Sequence, residues 1–222
     1  MKRTIVITMV AGLAVAGCAT ERKAPTAAAP VPAAAPAAPA YAKAAPTADK
    51  PAVKVGDTYE FAGNFVTVNC KRWEVKELNK DGFNISECGE YLSYISIDNG
   101  NLARIVTKSG DKVVQFSPTA QTLSFPLTTG KSWTGSYRGY TADDGSNWES
   151  NVSCQVKAFE PVKVAAGEME AFRIECTDSW ASGPFRGQAT STNWYAPKAK
   201  TVVKAMNSTS KFNMELASYS LK

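Results

Sequence analysis

From residue 53 to the C-terminus, β-branched and aromatic residues alternate with polar ones, clearly so over Asp57 to Phe61, Phe65 to Leu78, Gly82 to Cys88 and Tyr91 to Ile97. A repeat of two matches the pleat of a strand, whose successive side chains face opposite sides, and it cannot line one face of a helix. Turn-forming clusters break the pattern every 8–15 residues, at Asn79-Lys80-Asp81-Gly82, Asp98-Asn99-Gly100, Ser109-Gly110-Asp111, Asp143-Asp144-Gly145 and Ala165-Ala166-Gly167. Further strands are predicted over 101–107, 112–117, 131–140, 147–160, 169–179, 187–196, 201–207 and 211–221, and no segment of ten residues reads as a helix. Strands this closely spaced suit an antiparallel meander. The expected fold is all-β, a closed or half-open barrel or a sandwich, formed by a single domain over 53–222. Its roughly 170 residues are enough for a core of their own.

The chain before this domain is built differently. From Lys23 to Pro51 it reads KAPTAAAPVPAAAPAAPAYAKAAPTADKP. Each proline removes a backbone donor and disfavours helical geometry in the residue before it. Alanine offers too little area to build a core. A disordered, partly polyproline II tether is therefore expected, and its 29 residues would reach roughly 90 Å at about 3.1 Å per residue.

At the start, Met1-Lys2-Arg3 is positively charged, and Thr4 to Ala16 is an apolar run that ends in Val15-Ala16-Gly17-Cys18. The run is shorter than the roughly 20 residues of a membrane-spanning helix and suits a signal peptide. The Val-Ala-Gly-Cys phrase resembles the lipobox of bacterial lipoproteins cut by signal peptidase II. The resemblance implies a signal peptide over 1–17, acyl chains such as palmitate on the Cys18 thiol, and a lipidated linker over 18–52. Two or more acyl chains suffice for stable anchoring. Ala19 stands where aspartate would retain such a protein in the inner membrane, so the resemblance implies the outer membrane, with the domain in the periplasm or at the surface.

Net charge is +5, or +3 without Lys2 and Arg3, too small for a nucleic-acid partner. The chain has no histidine, which excludes a histidine base, metal ligand or pH switch. Four cysteines remain beside Cys18, an even number that in an exported chain points to disulfides. Of the three pairings, Cys70 with Cys88 and Cys154 with Cys176 are favoured, because each flanks one predicted hairpin. No close CxxC pair offers a metal site, and neither metal nor cofactor is expected.

Phe125-Pro126-Leu127-Thr128-Thr129-Gly130-Lys131-Ser132-Trp133, then Val162 to Ile174 reading VKVAAGEMEAFRI, then Trp194-Tyr195-Ala196-Pro197 resemble phrases of exported β-rich domains of unknown function. The likeness spans roughly 125–204. Those domains usually carry glycine three residues beyond the last proline. Here that place is Lys200, so a different final turn is expected.

Candidates for chemistry are few. Asp143, Asp144 and Glu149 could serve a carboxylate-based envelope hydrolase or calcium, but Asp-Asp-Gly is also an ordinary hairpin turn. No GxSxG elbow is present, and no catalytic residue is assigned. Trp133, Trp148, Trp180 and Trp194 are candidate ligand contacts as well as core residues. Lys198, Lys200, Lys204 and Lys211 are candidate contacts for an anionic glycolipid or peptidoglycan surface. The sequence thus suggests a non-enzymatic, outer-membrane-anchored lipoprotein that presents a disulfide-stabilised β domain to an envelope partner. The alternatives are a half-barrel carrier of lipid or another hydrophobic ligand, and the hydrolase. A cavity of several hundred Å3 would favour the carrier.

Overall fold

The computed structural model describes residues 46–63, 68–209 and 213–222. Among the described residues there are fourteen strands and no helix. They are β1 (Thr47–Ala48), β2 (Thr58–Gly63), β3 (Arg72–Leu78), β4 (Phe83–Cys88), β5 (Tyr91–Ser96), β6 (Leu102–Thr107) and β7 (Lys112–Ser117). After these come β8 (Leu127–Thr128), β9 (Ser132–Thr141), β10 (Asn147–Val164), β11 (Gly167–Ser182), β12 (Phe185–Ala196), β13 (Thr201–Asn207) and β14 (Met214–Ser220).

Twelve of them close into an antiparallel barrel in which every strand pairs with its neighbour along the chain, except that β9 follows β7 and β14 returns to β2. The all-β meander is thus as expected, and of the barrel and sandwich forms the closed barrel is the one adopted. Closure rests on six partners between β14 and β2, from Met214 with Gly63 to Ser220 with Thr58. Pairing the two ends removes the exposed edges that a half-open sheet would leave.

The two strands outside the barrel pair with each other, Thr47 with Thr128 and Ala48 with Leu127. Ala48 and Leu127 are both buried there. Thr47 and Ala48, which the sequence assigns to the linker, therefore pair with the domain. Two residues are too few to show a repeat of two, and their partners lie 81 and 79 positions away.

Two disulfides each staple one hairpin, Cys70–Cys88 at the β3–β4 pair and Cys154–Cys176 across β10 and β11. Cys154 and Cys176 stand directly opposite each other, with Cα atoms 4.1 Å apart. Both sulfurs sit in a core of Val152, Val156, Ile174 and Tyr195. Alternation buries Val152, Cys154 and Val156 on β10 against Ile174 and Cys176 on β11. A bulge between Val156 and Ala158 then shifts the ladder by one residue. Beyond it, Val162, Val164, Met169 and Ala171 form a second core with Leu216 and Val203, and the hairpin tip bonds to β14, Ala166 N–H to the Leu216 carbonyl at 3.0 Å.

The final turn also departs from expectation. Lys200 adopts φ 58°, the left-handed conformation that glycine takes most readily. The turn is therefore one that glycine would make, occupied by lysine. Its ammonium lies 3.3 Å from Oδ2 of the fully buried Asp57.

Candidate functional site: the barrel lumen

Up-and-down connection places the turns alternately at the two ends of the barrel. The 142–146 and 183–184 turns lie at one end. The 97–101, 165–166 and 197–200 turns lie at the other, together with the β14 terminus and the entry to β2. Between the ends the barrel surrounds a cavity of about 1070 Å3. Residues Lys50 to Val53 line it beside the second end, so the chain entering the fold crosses that side.

The aromatic wall comes from alternation on neighbouring strands. Tyr137 of β9 stands opposite Ser150 of β10, and Ser150 opposite Trp180 of β11. Trp148 of β10 faces Gly139 of β9, and Trp180 faces Gly187 of β12. These two glycines make room for the rings. A Cβ on Gly139 would come within 2.1 Å of the Trp148 ring, and one on Gly187 within 2.4 Å of the Trp180 ring. Each indole therefore lies flat on the opposing backbone and presents an aromatic surface to the lumen. Phe116 meets Tyr137 and Trp148 edge-on, with centroids 5.5 and 6.2 Å apart.

Polar side chains are set among these apolar ones. On the far wall, Asn84 and Ser86 of β4 and Ser93 of β5 are buried and line the cavity. On the aromatic side, the Tyr137 hydroxyl donates to Oδ2 of Asp178. Burial pushes the Tyr137 phenol well above its ordinary value, and the Asp178 carboxylate adds to the rise, while Ser150 and Trp148 beside the hydroxyl act against it. Tyr137 is therefore a permanent donor near neutral pH. Oδ1 of Asp178 is buried and has no hydrogen-bond partner among the described residues, and the same holds for the Tyr59 hydroxyl. Tyr59 is raised by burial, then by the nearby Asp57 charge and by Tyr195.

Charge is unevenly placed along this cavity. Asp178 in the wall and Asp143 and Asp144 in the β9–β10 turn line it, as do Lys50 and Lys200 toward the other end. Lys50 pairs with Asp98 at 3.4 Å and Lys200 with Asp57 at 3.3 Å. The lining cations are thus matched by partners of their own.

The sequence candidates divide accordingly. Trp148 and Trp180 line the lumen. Trp133 and Trp194 are held as structure instead. The Trp133 indole N–H donates to the Gln121 carbonyl at 3.0 Å. The Trp194 N–H donates to Glu160 at 3.1 Å, and the Lys204 ammonium sits 5.7 Å from the Trp194 ring centre. Of the lysines, Lys198 is exposed, Lys200 is drawn inward by Asp57, and Lys211 lies outside the described residues, as does Cys18. The carboxylate trio does not assemble. Glu149 pairs with Arg138 at 3.2 Å on exposed side chains, whereas Asp143 and Asp144 occupy the β9–β10 turn, where Asp144 caps the Ser146 N–H.

Sequence reasoning passed over Asp178, Tyr137, Trp73 and Tyr59, all of which line the lumen. For Asp178 a signal existed: it is two residues beyond Cys176 and two before Trp180, so it shares their face of β11. A carboxylate on the inward face of a strand is rare without a reason.

No family model matches the chain, and no curated protein matches it. Two solved structures show a likeness. One is a "putative exported protein with YmcC-like fold" from Bacteroides fragilis NCTC 9343, 12% identical over 78% of this chain and 99% of that one, with a TM-score of 0.45. The other is a "putative lipoprotein" from Parabacteroides distasonis ATCC 8503, 10% identical over 78% of this chain and 99% of that one, with a TM-score of 0.43.

Proposed function

We propose that this chain is a lipid-anchored envelope protein whose barrel binds and carries a small hydrophobic or amphiphilic molecule in its lumen. The observation that carries this reading is the cavity of about 1070 Å3, at the upper edge of the roughly 300–1,000 Å3 of ordinary ligand pockets. Its wall is apolar over most of its surface, as in ordinary ligand sites, with polar side chains set among the aromatic and aliphatic ones. Burying an apolar ligand there removes its surface from water at about 25 cal/mol per Å2. Acyl chains on Cys18 would hold the carrier at the outer membrane, where such ligands partition.

Binding of the neutral fluorophore N-phenyl-1-naphthylamine to the full-length Cys18→Ala chain tests the reading. The fluorophore should brighten saturably with one site per chain. Ala189→Trp, which places a large side chain on the lumen-lining strand β12, should weaken binding about tenfold or more with the melting temperature little changed. Absence of saturable binding, or unaltered binding in Ala189→Trp, would overturn it.

A further inference from the structure

Resting on the reading that the lumen holds a ligand, we propose that this ligand is an amphiphile with a protonated amine head, docked on Asp178 beside Tyr137, Trp148 and Trp180. Asp178 has one carboxylate oxygen bonded to the Tyr137 hydroxyl and the other buried without a partner. A buried acceptor left unpaired costs free energy, about 1–3 kcal/mol and more when charged. Its position in the cavity wall makes an incoming donor the natural partner. Tyr137 holds the carboxylate in place, since its own proton is kept by burial.

The charge distribution selects the sign of the head. Asp143, Asp144 and Asp178 line the half of the cavity toward the β9–β10 turn, and the lining cations Lys50 and Lys200 already face Asp98 and Asp57. A carboxylate or phosphate head would meet like charge at Asp178, whereas an ammonium meets an unpaired oxygen. Indole faces also attract a cation within about 6 Å, Trp most strongly, and Trp148 and Trp180 are spread against the wall by their glycine partners. Beyond the head, Phe116, Val114, Val75 and Tyr59 offer apolar lining for a tail.

The test is a matched series, dodecylammonium, dodecanol and dodecanoate, titrated below micelle-forming concentrations near neutral pH into the full-length Cys18→Ala chain. Tryptophan fluorescence and calorimetry are the readouts. Dodecylammonium should bind about tenfold or more tightly than dodecanoate, the size of a charge-assisted hydrogen bond. Asp178→Asn should bring these two within about twofold of each other while moving dodecanol by less than about twofold. Tyr137→Phe keeps the carboxylate and should keep the preference. Equal binding of all three ligands by the wild-type chain would overturn the amine assignment and leave the carrier reading standing. A preference for dodecanoate would do the same, and a preference unchanged by Asp178→Asn would reject Asp178 as the dock. Binding of none of the three would overturn the carrier reading itself. If Asp178→Asn does not fold, the wild-type order of dodecylammonium and dodecanoate decides the matter alone.

Discussion

The Lys200 ammonium lies 3.3 Å from Oδ2 of Asp57, across 143 positions of sequence, and Lys200 makes this contact from a left-handed backbone at φ 58°. The same carboxylate accepts the Lys54 N–H at 2.9 Å and the Lys222 N–H at 2.8 Å. Three chain segments at one end of the barrel, the entry to β2, the β12–β13 turn and the C-terminus, thus converge on one side chain with no exposed surface.

Asp57→Ala should therefore be among the more damaging single changes outside the apolar core. Removing one partner of a buried charged network costs about 3 kcal/mol or more, and 1 kcal/mol is roughly 2–4 °C in a domain of this size. A melting-temperature loss of about 6–12 °C is expected by calorimetry. Lys200→Gly should cost much less, because relief of left-handed strain, about 1–2 kcal/mol, offsets the lost ion pair. A larger loss from Lys200→Gly than from Asp57→Ala would contradict this arrangement.

The network also sets an acid limit. Burial alone pushes the Asp57 carboxyl up, but the Lys222 and Lys54 N–H groups and the Lys200 ammonium outweigh it and hold the carboxyl below its ordinary value. A carboxyl lowered in the folded chain contributes stability that is present above its unfolded value of about 3.9 and is lost as pH falls through the folded value. Thermal unfolding followed from pH 6 downward should therefore show wild type losing stability below about pH 4 more steeply than Asp57→Asn.

Each disulfide closes a short loop, Cys88 lying 18 positions beyond Cys70 and Cys176 22 positions beyond Cys154. On the loop-entropy account each contributes about 3 kcal/mol. Replacing either pair by alanine should lower the melting temperature by about 6–12 °C. Non-reducing peptide mapping should recover 70 with 88 and 154 with 176, and crossed peptides would refute the register of β10 on β11.

Gly139 and Gly187 should tolerate no side chain without moving an indole. Gly187→Ala and Gly139→Ala are expected to destabilise by about 1–3 kcal/mol through overpacking. Each should also shift tryptophan emission and weaken binding of the naphthylamine probe. A neutral effect on all three readouts would show that the rings do not rest on these glycines.

Cys18→Ala should abolish acyl labelling and move the chain from the membrane to the soluble fraction of cells. Persistent membrane association in that variant would remove the anchor from the reading.

Nearly all barrel strands were legible in advance, since a repeat of two and a turn cluster are local properties of the chain. Strands such as Lys112–Ser117 and Thr201–Asn207 agree with the expected spans. The two hairpin-flanking cysteine pairs were legible for the same reason, because residues across a tight hairpin are near in sequence. β1 and β8 were not, being two residues each and paired across 81 and 79 positions.

The sequence by itself determined the β-strand alternation, the hairpins, the cysteine pairs they bring together, and the contrast between an alanine–proline tract and a foldable domain. Closure was a tertiary decision, because the contact of β14 with β2 joins the two ends of the domain. So was the division of the tryptophans: Trp148 and Trp180 face the lumen, while Trp133 and Trp194 spend their N–H groups on Gln121 and Glu160. Whether a closed sheet is filled or hollow depends on side-chain volumes meeting from strands far apart in sequence. Here Asn84, Ser86 and Ser93 on one wall are too small to fill the space left by the indoles laid against the other, and the space between them is the cavity.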